Sequence, residues 1–515
     1  MPELSVGDPG TGNLLVEGDN LLALKALLPY YAGQVKCIYI DPPYNTGNEN
    51  WSYNDNVNSP EIREWLGKTV GNETEDLTRH DKWLCMMYPR LCLLREMLRE
   101  DGAVFVSIDD NEVHHLRCLM DEIFGAKNLV AYILWQKKYA PSNDHKSIAP
   151  MHDFILVYRK TSMFHRNLLP RTKEKDRQYR FEDDRGVFRI SDYTCNKNAD
   201  ERPNLYYSIT NPKTGEILWP KRTRVWAYSE ELYLQHVAQD LIWWGKAGRG
   251  KVPSFKRYRH KLRSGEGTVP STWWTHEFAG HTDGSKKEFR DIMGRDSELD
   301  FFTPKPTLLI QRILQISTNR DDLILDSFAG SGTTGHAVLD LNKKDGGNRR
   351  FILVEMLPGI CRDVTAERLR RVCNGYTGQG GKALEGLGSG FRFASLGNPL
   401  FDEQGNINKT VKFSDLARHV YFTETGEPLP GQVRAANPLV GVCRGTAVYL
   451  LYNGILKDKS TDGGNVLTTS ELGQLPKHDG PKVIYGTACR IGSERLRREG
   501  IVFKQLPYKL RVGSL

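Results

Sequence analysis

Residues Asp41-Pro42-Pro43-Tyr44 close the apolar run VKCIYI. Two consecutive prolines can neither extend a sheet ladder nor enter a helix interior, so they stiffen the chain as it leaves a buried strand. The Asp41 carboxylate and the Pro42 carbonyl become fixed acceptors side by side, and Tyr44 offers a flat face. That set suits a planar group bearing an NH₂: two acceptors take its two hydrogens while the ring stacks on it. In an aryl amine the lone pair is delocalised into the ring. Accepting both hydrogens favours a more tetrahedral nitrogen whose lone pair points at an electrophile; proximity and electrostatics do the rest.

A second constellation is Asp326-Ser327-Phe328-Ala329-Gly330-Ser331-Gly332-Thr333-Thr334, which follows the apolar run LIL and opens a helix. Glycines there let backbone approach a ligand, and the helix start supplies unpaired amides. There is no Gly-x-Gly-x-x-Gly and no Gly-Lys-Ser/Thr, which disfavours a dinucleotide or a cradled phosphate. The next apolar run, RRFILVEM, carries Glu355, about 25 residues past the loop. An acid there accepts from two ribose hydroxyls; alone, it is equally a solvated strand end. Loop and acid together point to an adenosine-containing cofactor with no phosphate to hold.

A third is KAGRGKVPSFKRYRHKLRSGEG, residues 246–267, with eight basic residues against Glu266. Lys251, Lys256, Arg257 and Arg259 are its dense centre, with Phe255 and Tyr258 interleaved. Cations neutralise phosphates and aromatics stack on bases, although a charge run is also the mark of a solvated face.

The elements that position these groups alternate. NLLVEGDN reads as a strand, NLLALKALLPYYAGQ as a helix and VKCIYI as a buried parallel strand. Asp81 to Glu100 reads as a helix, Asp101-Gly102 as a turn and AVFVSIDD as a strand. After a region of short β-like pieces, TPKPTLLIQRILQIST starts a helix with prolines in its first turn. The strand–helix–strand units predict an α/β, Rossmann-like doubly wound sheet. Four segments follow: 1–160, a catalytic half; 161–287, an insert; 288–374, a cofactor half; and 375–515, a small α+β module after a Gly-rich linker.

Length, 515 residues, and an apolar content of 39% suit several packed units. The net charge of +8 is modest, so the placement of the charge matters more than its total. Nine cysteines contain no Cys-x-x-Cys pair, which argues against a zinc ribbon and a disulfide framework; no metal site is expected. MPELSVGDPGTGN lacks a signal segment and no run of about 18 apolar residues exists. A cytoplasmic chain without a membrane span is the expectation.

These motifs resemble the β-class of amino methyltransferases acting on DNA, in which the catalytic motif precedes a target-recognition insert and the cofactor motif comes last. Here DPPYNTG precedes the basic insert and DSFAGSGTT follows it. More closely, the chain is similar to the modification subunits of type III restriction–modification systems and their orphan relatives. GDNLLALKALLPYYAGQVKCIYIDPPYNTG, RHDKWLCMMYPRLCLLREMLREDGAVFVSIDDNE, LMDEIFG and FFTPKPTLLIQRI carry the likeness, over roughly residues 13–160 and 268–372. The resemblance implies a circularly permuted methyltransferase sheet, S-adenosyl-L-methionine as cofactor, double-stranded DNA as partner and a homodimer. It leaves open a restriction subunit on a separate chain.

By the same resemblance, Asp41, Pro42 and Pro43 hold the target amine and Tyr44 stacks on the base. Phe328, Gly330, Gly332 and Thr333 wrap the methionine end of the cofactor, with Asp326 near its amino group, and Glu355 holds the ribose. Asp19 is either near the cofactor adenine or a helix N-cap. Lys305 and Pro306 begin the helix over the cofactor. Trp135, Lys137 and Lys138 sit where the family contacts the extruded base and its strand.

The implied activity is methylation of adenine N6, with extrusion of the base from the duplex. N4-cytosine methylation is the main rival; Asp rather than Ser at position 41 favours adenine. RNA or protein glutamine methylation, and a non-catalytic DNA-binding protein on the same fold, are weaker alternatives. No cysteine follows a proline, so the cytosine-C5 motif is absent.

Overall fold

Every residue of VKCIYI is buried, the pattern of a strand covered on both faces, and the strand lies near the middle of a nine-stranded sheet. The computed structural model describes residues 2–7, 11–45, 75–141, 145–171, 176–261, 267–294, 303–378, 380–400, 407–408, 410–431, 433, 437–454 and 458–506. Thr46 and Gly47 of the first motif, Arg263 and Glu266 of the basic run and the Phe301-Phe302 pair lie outside the described residues.

In chain order the strands are β1 (Leu14–Glu17), β2 (Val35–Ile40), β3 (Leu98–Ile108), β4 (Leu129–Gln136), β5 (His152–Arg159), β6 (Trp273–Trp274), β7 (Leu323–Asp326), β8 (Arg350–Glu355) and β9 (Arg392–Ser395). The helices used below are α1 (Asn20–Tyr31), α2 (Glu75–Met97), α3 (Val113–Phe124), α4 (Thr282–Met293), α5 (Thr307–Ser317), α6 (Thr333–Asp345) and α7 (Glu367–Asn374). The sheet runs β6-β4-β5-β3-β2-β7-β8-β1-β9. β5 is antiparallel to β3 and β4; the other pairings are parallel.

From β2 the chain crosses to β3 on one side; from β7 it crosses through α6 to β8 on the other. β2 and β7 are neighbours with their carboxyl ends together, which makes the switch point where open α/β sheets bind ligands. The core beneath is apolar, with Ile38, Ile40, Trp83, Leu94, Val106, Leu325 and Val354 all fully or almost fully buried.

Three boundaries differ from the sequence reading. The helix expected to reach Glu100 ends at Met97, and β3 begins at Leu98. Asp101-Gly102 lies inside β3 at an irregularity, where the β2 partner jumps from Leu98 to Ala103. The Lys36 ammonium, 2.9 Å from the Asp101 carboxylate, bridges this excursion.

Second, the insert is narrower than 161–287. Residues 168–270 form one compact unit; residues 161–167 and 271–287 belong with the rest of the chain. β6 falls in the latter stretch and pairs with β4 of the main sheet; α4 begins there and packs on α7. The insert has its own four-stranded antiparallel sheet and an aromatic core including Tyr193, Trp226 and Tyr233.

Third, the Gly-rich segment after Gly375 is not a bare linker. Gly375–Thr377 pairs with Ala383–Glu385 as a hairpin, and β9 then joins the edge of the main sheet beside β1. Only beyond it comes a mixed four-stranded sheet of Leu439–Cys443, Thr446–Leu450, Lys482–Gly486 and Ile501–Gln505, with its own core around Leu416, Val420, Val448 and Tyr485. Among the described residues no helix is long and apolar enough to cross a membrane.

Candidate active site

Asp41 is the first residue past β2, and the Pro42-Pro43 pair carries the chain away from the sheet. Two side chains hold this exit in place. The Trp83 indole of α2 donates to the Pro43 carbonyl at 2.7 Å. Asn45 adopts a left-handed conformation, φ 54°, a strained region for residues other than glycine, and its amide donates to Glu112.

Glu112 is fully buried. It also meets the His80 ring and the His115 ring at 3.0 Å. The ligating atoms of His80, Glu112 and His115 lie within 4.8 Å of one another, close enough for one metal ion to bridge. That ligand spacing was not anticipated from the sequence, because His80 lies 32 residues from Glu112.

Asp41 divides its two oxygens. Oδ2 is paired with the Lys305 ammonium. Oδ1 is buried and, among the described residues, has no hydrogen-bond partner; the Tyr44 hydroxyl likewise has none. The Lys305 ammonium also lies 5.0 Å from the Tyr44 ring centroid. Burial, reinforced by the Asp41 charge, pushes the Tyr44 phenol well above its usual range. Lys305 reaches Asp41 from the sequence Thr303-Pro304-Lys305-Pro306, where each residue preceding a proline is kept extended. Pro306 is the N-cap position of α5, φ −62° and ψ 133°.

Two cavities meet at this carboxylate. One, of about 700 Å³, is lined by Asp41, Tyr44, Trp135, Lys137, Asp153 and Lys305, with α4 on its far side. The other, of about 390 Å³, is lined by Asp326, Phe328, Gly330, Ser331, Thr333 and Glu355. Asp41, Pro42 and Thr303 to Lys305 line both.

The second cavity is built by the glycine loop. Gly332 has φ 74° and is the N-cap residue of α6. A Cβ there would lie 3.1 Å from the Thr365 methyl and 3.3 Å from its carbonyl oxygen, so both conformation and space favour glycine. Glu355 accepts from the Gly330 amide at 2.9 Å and the Leu357 amide at 3.0 Å; burial pushes its carboxyl above the ordinary carboxylate range.

Asp326 accepts from the Phe328 amide at 3.0 Å and from the Thr334 hydroxyl. Burial pushes its carboxyl up to about 7, with Asp41 and Glu355 adding to the shift. Beneath the loop, the buried Arg368 guanidinium donates to Ser331, to Thr333 at 2.8 Å and to Thr307 at 3.1 Å. Thr333 in turn donates to the Lys305 carbonyl at 3.2 Å, which ties the loop to the segment carrying Lys305.

Asp41, Pro42, Pro43, Tyr44, Asp326, Phe328, Gly330, Gly332, Thr333, Glu355 and Lys305 therefore come together around the joined cavities. Other expected site residues are engaged in contacts of their own. Asp19 is an N-cap: it accepts from the Leu22 amide at 2.9 Å and does not line the cofactor crevice. Pro306 packs towards Gly280, where an added Cβ would lie 2.7 Å from its own.

Trp135 is 1% exposed and spends its indole N–H on the Gly280 carbonyl at 2.9 Å; it is a wall of the cleft. Lys137 is paired with buried Asp153 at 2.5 Å, and burial raises the Asp153 carboxyl. Lys138 is exposed.

The basic run of the insert is corrected most. Lys256 is 7% exposed, with its ammonium 3.1 Å from Asp183 and 2.9 Å from Asp240. A cation held by two carboxylates inside a fold has no charge left for a phosphate. Arg257 donates to Ser191 at 2.9 Å and Arg259 pairs with Asp176 at 3.2 Å. Tyr258 is buried and donates to Asp183; Phe255 packs against the insert core. Lys251 is exposed.

Asp153 is a cleft residue that sequence reasoning missed, as are Tyr139, Asp283 and Lys286. The only signal for Asp153 is its position at the start of an apolar strand, and it enters the cleft because β4 and β5 pair Trp135 with Asp153.

A switch-point crevice holding these two motifs is the arrangement of a nucleotide-cofactor transferase. Residues 35–367 match the family model for DNA methylases, the N6/N4 methyltransferases, and the chain belongs to that family. It is 37% identical over 372 residues to the type III restriction–modification enzyme StyLTI Mod subunit of Salmonella typhimurium, covering 69% of this chain and 54% of that one. It is 32% identical over 399 residues to the type II methyltransferase M.KpnI of Klebsiella pneumoniae, covering 71% and 89%. The chain spans little more than half the length of the type III relatives it matches. Among solved structures, the PvuII cytosine-N4-specific DNA methyltransferase aligns at 13% identity and TM-score 0.36, covering 69% of this chain and 86% of that one.

Proposed function

We propose that this chain transfers a methyl group from S-adenosyl-L-methionine to the exocyclic N6 of adenine in double-stranded DNA, after the base is extruded into the larger cavity. The observation that carries this reading is Asp41 Oδ1, a buried acceptor without a partner among the described residues, at the wall shared by two cavities. An amine entering from the larger cavity satisfies it. The names of the relatives, modification subunits and a type II methyltransferase, support the choice of DNA and of a restriction–modification setting.

The smaller cavity fits the cofactor by its donor and acceptor chemistry. Asp326 and Glu355 are acids whose ionised forms burial disfavours, so a cationic ligand stabilises both. Phe328 gives an apolar wall, and the glycine loop leaves backbone within reach. When bound, S-adenosyl-L-methionine supplies an electrophilic methyl group on a sulfonium.

The protein's part is positional. Asp41 Oδ1 and the Pro42 carbonyl accept the two amine hydrogens, so the nitrogen lone pair faces the cofactor crevice. Lys305 holds Oδ2 and orients the carboxylate. Tyr44 stacks on the base. The nitrogen loses one proton as the new N–C bond forms, and Asp41 is the nearest acceptor. Trp135 and the Lys137–Asp153 pair wall the cleft and displace water. No covalent enzyme intermediate is needed.

This reading carries a second copy of the chain and, where one is encoded, a separate restriction subunit as partners, and a cytoplasmic location. Tritium transfer from labelled cofactor to DNA, followed by sequencing with modified-base detection, tests it. N6-methyladenine at a fixed site is expected. N4-methylcytosine would overturn the choice of base, and cofactor binding without transfer would mark a non-catalytic DNA-binding protein.

A further inference from the structure

A second cavity opens beside the target cleft. It has a volume of about 520 Å³ and shares Tyr139, Asp283 and Lys286 with that cleft. Its lining is almost wholly polar and basic: Lys286, Lys287 and Arg290 from α4, with His276 and His281, against the single acid Asp283. α4 buries Ser285, Phe289, Ile292 and Met293. Its cations lie at positions one and four apart on the remaining surface.

That placement works against the helix. Lys286 and Arg290 are like charges four residues apart, which repel. Nor are the lysine ammoniums satisfied locally: among the described residues, the side chains of Lys286 and Lys287 have no hydrogen bond or ion pair, and the same holds for the Lys138 side chain on the adjoining cleft. The insert differs, since Lys256, Arg257 and Arg259 are all engaged within it. At the cavity lip, Tyr139 is 61% exposed and its ring lies 5.5 Å from that of His281.

We propose that this cavity binds the phosphodiester next to the extruded nucleotide, with Lys286 and Lys287 as its phosphate contacts. The inference rests on the reading of the larger cavity as the site of the target base. A nucleotide whose base occupies that cavity must leave its backbone at the mouth. The two spaces are continuous through Lys286, so a flanking phosphate and the base are held by neighbouring walls. Anion neutralisation at this point anchors the strand while the base is out of the stack and offsets part of the unstacking cost. Phosphate contact carries no sequence information, so the insert is left to read bases.

The test uses the full chain and duplexes carrying the site found by modified-base sequencing. Lys286→Ala/Lys287→Ala is compared with wild type for DNA affinity across a salt series, with cofactor affinity and melting temperature as controls on folding. Loss of two phosphate contacts flattens the log–log salt slope by about 1.8 and weakens binding about 60-fold at 0.1 M salt, alike on cognate and random duplexes. The location is read with duplexes in which a single phosphate is a neutral methylphosphonate. Substitution beside the target base weakens wild type and leaves the double variant unaffected.

A double variant with wild-type slope and affinity overturns the proposal. So does one for which the flanking methylphosphonate still weakens binding as much as in wild type, which places the contacts elsewhere on the duplex. A wild-type protein that binds cofactor but neither binds nor methylates DNA overturns the underlying reading of the site instead.

Discussion

Replacing Asp326 by Asn removes a carboxyl that the fold keeps from ionising at its ordinary acidity. Asp326 is 2% exposed, and burial pushes it from 3.8 up to about 7. Its hydrogen bonds from Thr334 and Phe328 oppose the shift without cancelling it. The folded state thus holds this proton more tightly than the unfolded chain. The penalty is absent below about pH 4, grows as pH rises towards 7, and is constant above. At about 1.4 kcal/mol per pH unit, the difference between 3.8 and about 7 amounts to about 4 kcal/mol of lost stability at high pH.

Asn fits the same place: its oxygen accepts from the Phe328 amide and its NH₂ donates to the Thr334 oxygen. The variant carries a roughly pH-independent offset but no ionisation penalty. Relative to wild type, it gains about 2.5 kcal/mol of stability between pH 5 and pH 8, the part of the titration within a measurable range. Urea unfolding of both proteins at half-unit pH intervals measures it. A cationic cofactor beside Asp326 favours the ionised form, so wild-type cofactor affinity rises as pH passes through 7, whereas the Asn variant's stays flat. Parallel stability–pH curves for the two proteins would refute the argument, because they would show that Asp326 ionises freely in the folded state.

Asp41→Ala removes the proposed amine acceptor and leaves Asp326, Phe328 and Glu355 of the cofactor crevice in place; single-turnover methyl transfer falls below about a tenth of wild type while calorimetric cofactor affinity is largely retained. Glu355→Ala leaves the Gly330 and Leu357 amides without their carboxylate and weakens cofactor binding by about 1–3 kcal/mol, read by calorimetry. Lys256→Ala leaves Asp183 and Asp240 with Arg185 as their remaining cation. With Asp240 73% exposed, the cost is below that of a fully buried pair, about 1–3 kcal/mol in denaturant unfolding. The salt slope of DNA affinity is unchanged in that variant; a slope flatter by about 1 would restore a phosphate role to Lys256.

Much of the centre of this protein was legible in its sequence, and for local reasons. A strand buried on both faces is a continuous apolar run, so VKCIYI, LILD and RRFILVE announced themselves. Proline pairs and a glycine at positive φ restrict backbone in ways that need no partner, so DPPY and FAGSGT, with the acid that ends RRFILVE, marked the strand ends that line the joined cavities. Asp326, Glu355 and Asp41 followed from their positions at those ends.

What the sequence left undecided is everything that depends on which side chain meets which across the fold. β2 and β7 are neighbours although nearly 300 residues apart, and only that adjacency joins the two cavities at Asp41. Asp19 carries both readings locally; the direction of α1 makes it a cap. A run of cations looks the same whether it faces solvent or carboxylates. Lys256 is neutralised by Asp183 and Asp240, 73 and 16 residues away, while Lys286 and Lys287, in a less conspicuous stretch, have no side-chain ion pair among the described residues. Local pattern sets backbone conformation because its forces act over a few residues. The pairing of charges is set by tertiary contacts, which bring distant segments within the few ångströms over which a hydrogen bond or ion pair acts.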